Sequence, residues 1–122
     1  MKRIIVIDDD AINNYLCEMT IKVVNKNVKT ECFTNPQLAA SMVINENHDN
    51  ETVILLDINM PVMDGWQFLK EMANNNVDYP VYILTSSINP TDKSNADKFK
   101  NVKNFFSKPL NFENINEVLS KR

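Results

Sequence analysis

Positive charge, cysteine, glycine and long apolar runs are all scarce in this sequence, and each shortage narrows the field. Thirteen Lys and Arg face sixteen Asp and Glu, a formal net charge of -3 with a pI near 5.1. That balance lacks the basic stripe of a nucleic-acid surface, so no direct nucleic-acid binding is expected. The two cysteines, Cys17 and Cys32, show no metal-ligand spacing and are too few for a disulfide framework. Reduced thiols in the cytoplasm are the expectation. Lys2-Arg3 lead only into Ile4 to Ile7, which acids interrupt at once, so neither a signal peptide nor a membrane span is expected. With one glycine, five prolines, 43% hydrophobic and 24% charged residues, the composition is that of an ordinary globular protein. At 122 residues, one domain over 1–122 can bury its own core.

The stretch Leu55-Leu56-Asp57-Ile58-Asn59-Met60-Pro61-Val62-Met63-Asp64-Gly65 organises the rest. Val53 to Leu56 leave no polar face and read as a buried strand. Asp57 then stands at its carboxyl end, where open α/β sheets place their chemistry. Such an ionised carboxylate is a candidate nucleophile for a phosphoryl group.

Ile4 to Ile7 form a first strand ended by Asp8-Asp9-Asp10, with Asp10 as a helix cap. Ile12, Tyr15, Leu16, Met19 and Val23 recur at helical spacing and predict an amphipathic first helix. Val28 to Phe33 alternate like a half-exposed edge strand. Asn35-Pro36 opens a second helix whose buried stripe is Leu38, Ala39, Met42 and Val43. Trp66, Leu69, Met72 and Ala73 predict a third helix, and Val81 to Leu84 a fourth strand ending in Thr85-Ser86-Ser87. A polar fourth helix follows Asn89-Pro90, its thin apolar face being Ala96, Phe99 and Val102. Asn104-Phe105-Phe106 is a short fifth strand closing in Ser107-Lys108-Pro109. Asn111 can cap a last helix carrying Phe112, Ile115, Val118 and Leu119. Five alternations of strand and helix specify an α/β fold, a doubly wound parallel sheet of flavodoxin-like order 2-1-3-4-5.

That topology brings Asp8, Asp9, Asp57, Thr85 and Lys108 to one rim. Two unit charges about 4 Å apart repel by roughly 4 kcal/mol at a surface-like dielectric. A proton, a cationic side chain or a metal must offset this. Lys108 supplies one charge, and an oxygen-only site without His or Cys suits a hard cation such as Mg²⁺.

Taken together, Ile7-Asp8-Asp9, the Asp57 to Gly65 stretch, Leu84-Thr85-Ser86 and Phe105-Phe106-Ser107-Lys108-Pro109 resemble the receiver domain of two-component response regulators. The resemblance runs over essentially the whole chain. It implies a signalling domain rather than a turnover enzyme, with Asp57 as phosphoacceptor for a histidine kinase or histidine phosphotransfer protein. It implies Mg²⁺ on Asp9, Asp57 and the Asn59 backbone carbonyl, with Asp8 acting directly or through water. Thr85 and Lys108 would touch the phosphoryl group, and Phe105 would be the switch aromatic paired with Thr85. Asn59 and Ser87 would tune hydrolysis, and Lys108-Pro109 would be a cis peptide. A monomer or weak phosphorylation-dependent dimer acting on a downstream protein partner is expected, without a membrane. The sequence departs from the family at Ala11, often Pro, and at Asn101-Val102-Lys103, where a Gly is usual. Asn101 or Asn104 is then expected to make the turn that the Gly would make. Phe105 replaces a commoner Tyr.

Each residue alone admits a plainer reading. Asp8 to Asp10 could cap a helix, Asp57 could be a loop acid, Thr85 could end a strand, Lys108 could be solvated and Phe105 could be core. Asp64 and Gly65 shape a turn, His48 reads as a surface residue, and Trp66 and the methionines as packing. A haloacid-dehalogenase-like phosphatase would want a second acid where Asn59 stands, and a cap domain. A flavin-binding protein of this topology would want a Ser/Thr/Gly-rich turn after the first strand. A degenerate receiver would lack one of the expected positions.

Overall fold

The computed structural model describes residues 2–49, 51–86 and 88–120. Five strands alternate with five helices: β1 (Arg3–Ile7), α1 (Ala11–Val24), β2 (Lys29–Phe33), α2 (Pro36–Asn45) and β3 (Thr52–Asp57), then α3 (Gly65–Asn74), β4 (Val81–Thr85), α4 (Pro90–Ala96), β5 (Val102–Ser107) and α5 (Phe112–Ser120). All strand pairings are parallel, and the order is β2-β1-β3-β4-β5. The three central strands are the three continuous apolar runs, because a strand covered on both faces has no use for alternation.

The sheet separates two apolar layers. On one side Ile5, Ile7, Ile54, Leu56 and Ile83 pack with Ala39, Val43, Phe68, Leu69 and Met72 of α2 and α3, and with Ala96 of α4. On the other, Ile4, Val6, Leu55, Tyr82 and Leu84 pack with Cys17 and Ile21 of α1 and with Ile115 and Val118 of α5. Tyr82 stacks on Phe106 at 5.3 Å between ring centroids.

Helix starts follow the capping residues. Asp10 accepts from the N–H groups of Ile12 and Asn13, and Asn35 from those of Gln37 and Leu38. Asp64 and Gln67 form a reciprocal capping box, Asn89 caps α4, and Asn111 and Asn114 exchange bonds at the head of α5.

The expected stripe of α1 faces the wrong way. Ile12, Tyr15, Leu16, Met19 and Val23 are exposed, Ile12 by 72% and Val23 by 70%. The buried face is Asn14, Cys17 and Ile21. Those positions also recur at i, i+3 and i+7, and the Asn14 amide, bonded to the carbonyls of Asp8 and Phe33, holds that face against the sheet. In α2, Leu38 is exposed and Ala40 takes a buried place; in α3, Ala73 is exposed and Phe68 is core; in α5, Phe112 is exposed. Small residues suffice where α2 lies close to the sheet. β2 is an edge, but its burial does not alternate cleanly.

Neither Asn101 nor Asn104 takes a left-handed conformation. Among the described residues, the non-glycine residues with positive φ are Val62 (70°) and Asn76 (59°). The chain instead leaves α4 through short turns from Lys98 to Asn95, Phe99 to Ala96 and Val102 to Phe99, which need no left-handed residue. Asn101 lends its side-chain amide to the Tyr79 carbonyl.

Candidate functional site

β1, β3 and β4 deliver Asp8, Asp57 and Thr85 to their carboxyl ends, and Lys108 follows β5 directly. Asp8, Asp57 and Thr85 are buried, whereas Asp9 is exposed. One carboxylate oxygen each of Asp8, Asp9 and Asp57 lies within 4.8 Å of the others. Lys108 Nζ sits 2.7 Å from Asp8 Oδ2 and 3.3 Å from Asp57 Oδ2. Its backbone N–H donates to the Thr85 carbonyl at 2.9 Å, which ties the lysine to the end of β4. The Lys108-Pro109 peptide is cis.

Each acid is oriented by its neighbours. The Asn59 N–H donates to Asp57 Oδ1 at 3.1 Å. The Asp10 N–H and the Asn13 side-chain amide donate to Asp8 at 2.9 and 2.7 Å. Asn13 and Asn14 were not foreseen as parts of this site. The only signal for them is that the first turn of α1 carries two amides five and six residues past Asp8.

Burial pushes the Asp57 carboxyl above the usual carboxylate range; the Asn59 N–H opposes this, Asp8's charge adds to it, and Lys108 opposes it again. Burial works against the charge on Lys108, but hydrogen bonding and attraction to Asp8, then to Asp57, leave its ammonium more tightly protonated than usual. The result is a carboxylate held beside a fixed cation and a second acid. Cys17 nearby is inert, its thiol pushed up to about 12 by burial and by Asp8's charge.

The turn after Asp57 leaves no slack. The Gly65 N–H donates to the Ile58 carbonyl at 3.2 Å, and a Cβ on Gly65 would stand 2.7 Å from Ile58 Cα and 2.9 Å from the Asp57 carbonyl oxygen. Only glycine permits that approach. Phe105 is half-buried opposite Ile83, on the same face of the sheet as Thr85, since alternate residues of β4 share a face. Asn59 is exposed at the mouth of the site. Ser87 lies outside the described residues.

The family model of the response regulator receiver domain matches residues 4–120. The chain belongs to that family. Receiver domains are signalling domains of two-component systems, and the acid cluster and the order 2-1-3-4-5 are in keeping with that membership. Among similar proteins is a two-component response regulator of Oryza sativa (ORR41), 26% identical over 99% of this chain and 94% of that protein. A protein-glutamate methylesterase/protein-glutamine glutaminase of Treponema denticola is 28% identical over 98% of this chain, which spans only 33% of that protein. Among solved structures, a two-component response regulator from Legionella pneumophila superposes with a TM-score of 0.82 at 26% identity, covering 98% of each chain. Among the described residues, no helix is long and apolar enough to cross a membrane.

Proposed function

We propose that Asp57 accepts a phosphoryl group from a phosphohistidine on a partner histidine kinase or histidine phosphotransfer protein, in the cytoplasm. The observation that carries this reading is the buried Asp57 carboxylate, 3.3 Å from Lys108, within the Asp8–Asp9–Asp57 cluster. A carboxylate oxygen of Asp57 forms the new bond to phosphorus as the donor's P–N bond breaks, and the electron pair returns to the imidazole. Lys108 stays protonated throughout and balances charge on the phosphoryl oxygens, with the Thr85 hydroxyl as a further donor.

The donor set fits a divalent ion: three carboxylates, no His or Cys, and oxygens within 4.8 Å. Asp8, Asp9, Asp57 and the Asn59 backbone carbonyl would hold Mg²⁺. Bound there, it would neutralise the charge gathered between two anions. The Asn59 side chain at the site's mouth, with Ser87, would tune hydrolysis of the acyl phosphate.

The product is a changed binding surface. Thr85 is drawn to the phosphoryl group, and Phe105, on the same face of the sheet, follows it inward. A downstream protein, or a weakly associated second copy, reads the change. The exposed apolar row of α1 begins beside the acid rim and offers the donor protein a place to rest.

Incubation with Mg²⁺ and acetyl phosphate tests the assignment. Mass spectrometry should find one hydroxylamine-sensitive phosphoryl group, and Asp57→Asn should abolish it. Undiminished labelling of that variant at another residue refutes the role of Asp57.

A further inference from the structure

The chain is acidic overall, yet four lysines line hollows outside the acid cluster, on the side of α3, α4 and β5. Lys98, Lys100 and Lys103 line a hollow of about 540 Å³ between the end of α3 and the segment from α4 to β5. Lys70 and Lys98 line a second, of about 240 Å³, between α3 and α4. The two hollows share Lys98 and Phe99, so they form one groove. At their junction Trp66 and Phe99 stack at 6.4 Å and 18° between planes, both half-buried.

Among the described residues none of the four lysines is in an ion pair. Two acids line the groove: Asp64, already committed to capping α3, and Asp78. Lysine on an edge strand ordinarily discourages edge pairing, which accounts for Lys103 on β5. It does not account for Lys98 and Lys100, which lie outside the strand. A register shift after Val81 leaves Lys103 without a pairing partner on β4, and such bulges re-aim side chains. α4 contributes only Ala96 to the core, so this corner is closed by the aromatic pair rather than by the helix.

We propose that this groove binds an acidic segment of a partner protein, with an apolar side chain against the Trp66–Phe99 pair and carboxylates facing Lys98, Lys100 and Lys103. Charge complementarity selects the acidic partner. The two rings lie nearly parallel, 6.4 Å between centroids, and both are half-buried, so they present a small apolar surface that suits an aliphatic or aromatic side chain. The site goes beyond the phosphotransfer reading and does not depend on it.

The probe is a short synthetic peptide of Asp and Glu with a central Leu-Phe pair, titrated into the full chain. Trp66 is the only tryptophan and reports directly from the groove. Saturable binding with a change in Trp66 emission is expected, weakened about tenfold or more by combined Lys98→Glu, Lys100→Glu and Lys103→Glu. Combined Lys26→Glu and Lys29→Glu, near the opposite sheet edge, should leave binding unchanged, with circular dichroism verifying that both variants fold. Equal weakening by both sets, silent Trp66 emission, or tighter binding of a single-stranded oligonucleotide through the same lysines would overturn the proposal. No phosphorylation enters this titration, so its failure leaves the Asp57 assignment untouched.

Discussion

Lys108→Met removes the cation that touches two buried carboxylates. The Asp8 side chain is 0% exposed and that of Asp57 4%, and the ammonium lies 2.7 and 3.3 Å from them. At such separations each attraction is on the order of 5–6 kcal/mol at an effective dielectric near 20. Much of that offsets desolvation, but removing one partner of a buried pair strands the other charge and costs about 3–5 kcal/mol. A small domain loses roughly 1–3 kcal/mol per molar urea, so the urea midpoint at neutral pH without divalent ions should fall by about 1 M or more. Two further changes separate this cause from lost packing. Mg²⁺ should restore the variant more than it stabilises the wild type, since it replaces the missing charge. Acid should also narrow the deficit. The Asp57 carboxyl is raised in the fold, so its favourable contribution is complete below the unfolded value and is lost as pH rises through the folded one. A midpoint within about 0.3 M of wild type, or a deficit indifferent to both Mg²⁺ and pH, would refute the reasoning.

Two other perturbations test the frame around the site. Gly65→Ala forces a Cβ against main-chain atoms of Asp57 and Ile58 that cannot swing aside, at 2.7 to 2.9 Å, and should cost about 2 kcal/mol or more and slow phosphorylation. An unchanged thermal midpoint would show that the turn yields freely. Tyr79→Phe deletes a 2.6 Å bond from the tyrosine hydroxyl to Glu46, whose carboxylate also pairs with Arg3, and should cost about 1.5–3 kcal/mol at neutral pH. Burial pushes the Glu46 carboxyl up, but Arg3 and Tyr79 outweigh it and the net shift is downward. Its stabilisation is therefore present above the unfolded value and lost as pH falls through the folded one. The gap between variant and wild type in urea should shrink in acid, and a constant gap would place its origin elsewhere.

Much of this protein is determined by local pattern. Three uninterrupted apolar runs can only be central strands of a covered sheet, and helices between them force parallel pairing. Once the strands are parallel, Asp8, Asp57, Thr85 and Lys108 must reach one rim, because each follows or ends a strand. The caps Asp10, Asn35, Asp64, Asn89 and Asn111 act within a few residues of themselves and are equally legible. Tertiary structure decided what pattern left ambiguous. α1 carries two stripes at helical spacing, and the packing buries Asn14, Cys17 and Ile21, with the Asn14 amide bonded to the carbonyls of Asp8, just past β1, and Phe33 at the end of β2. That choice turned five large apolar residues outward. The distances from Lys108 to Asp8 and Asp57, and the hollow that Lys70 of α3 lines together with Lys98 from the turn after α4, join residues far apart in the chain. Periodicity says which residues share a face, but only the competition among faces for the sheet says which one is buried.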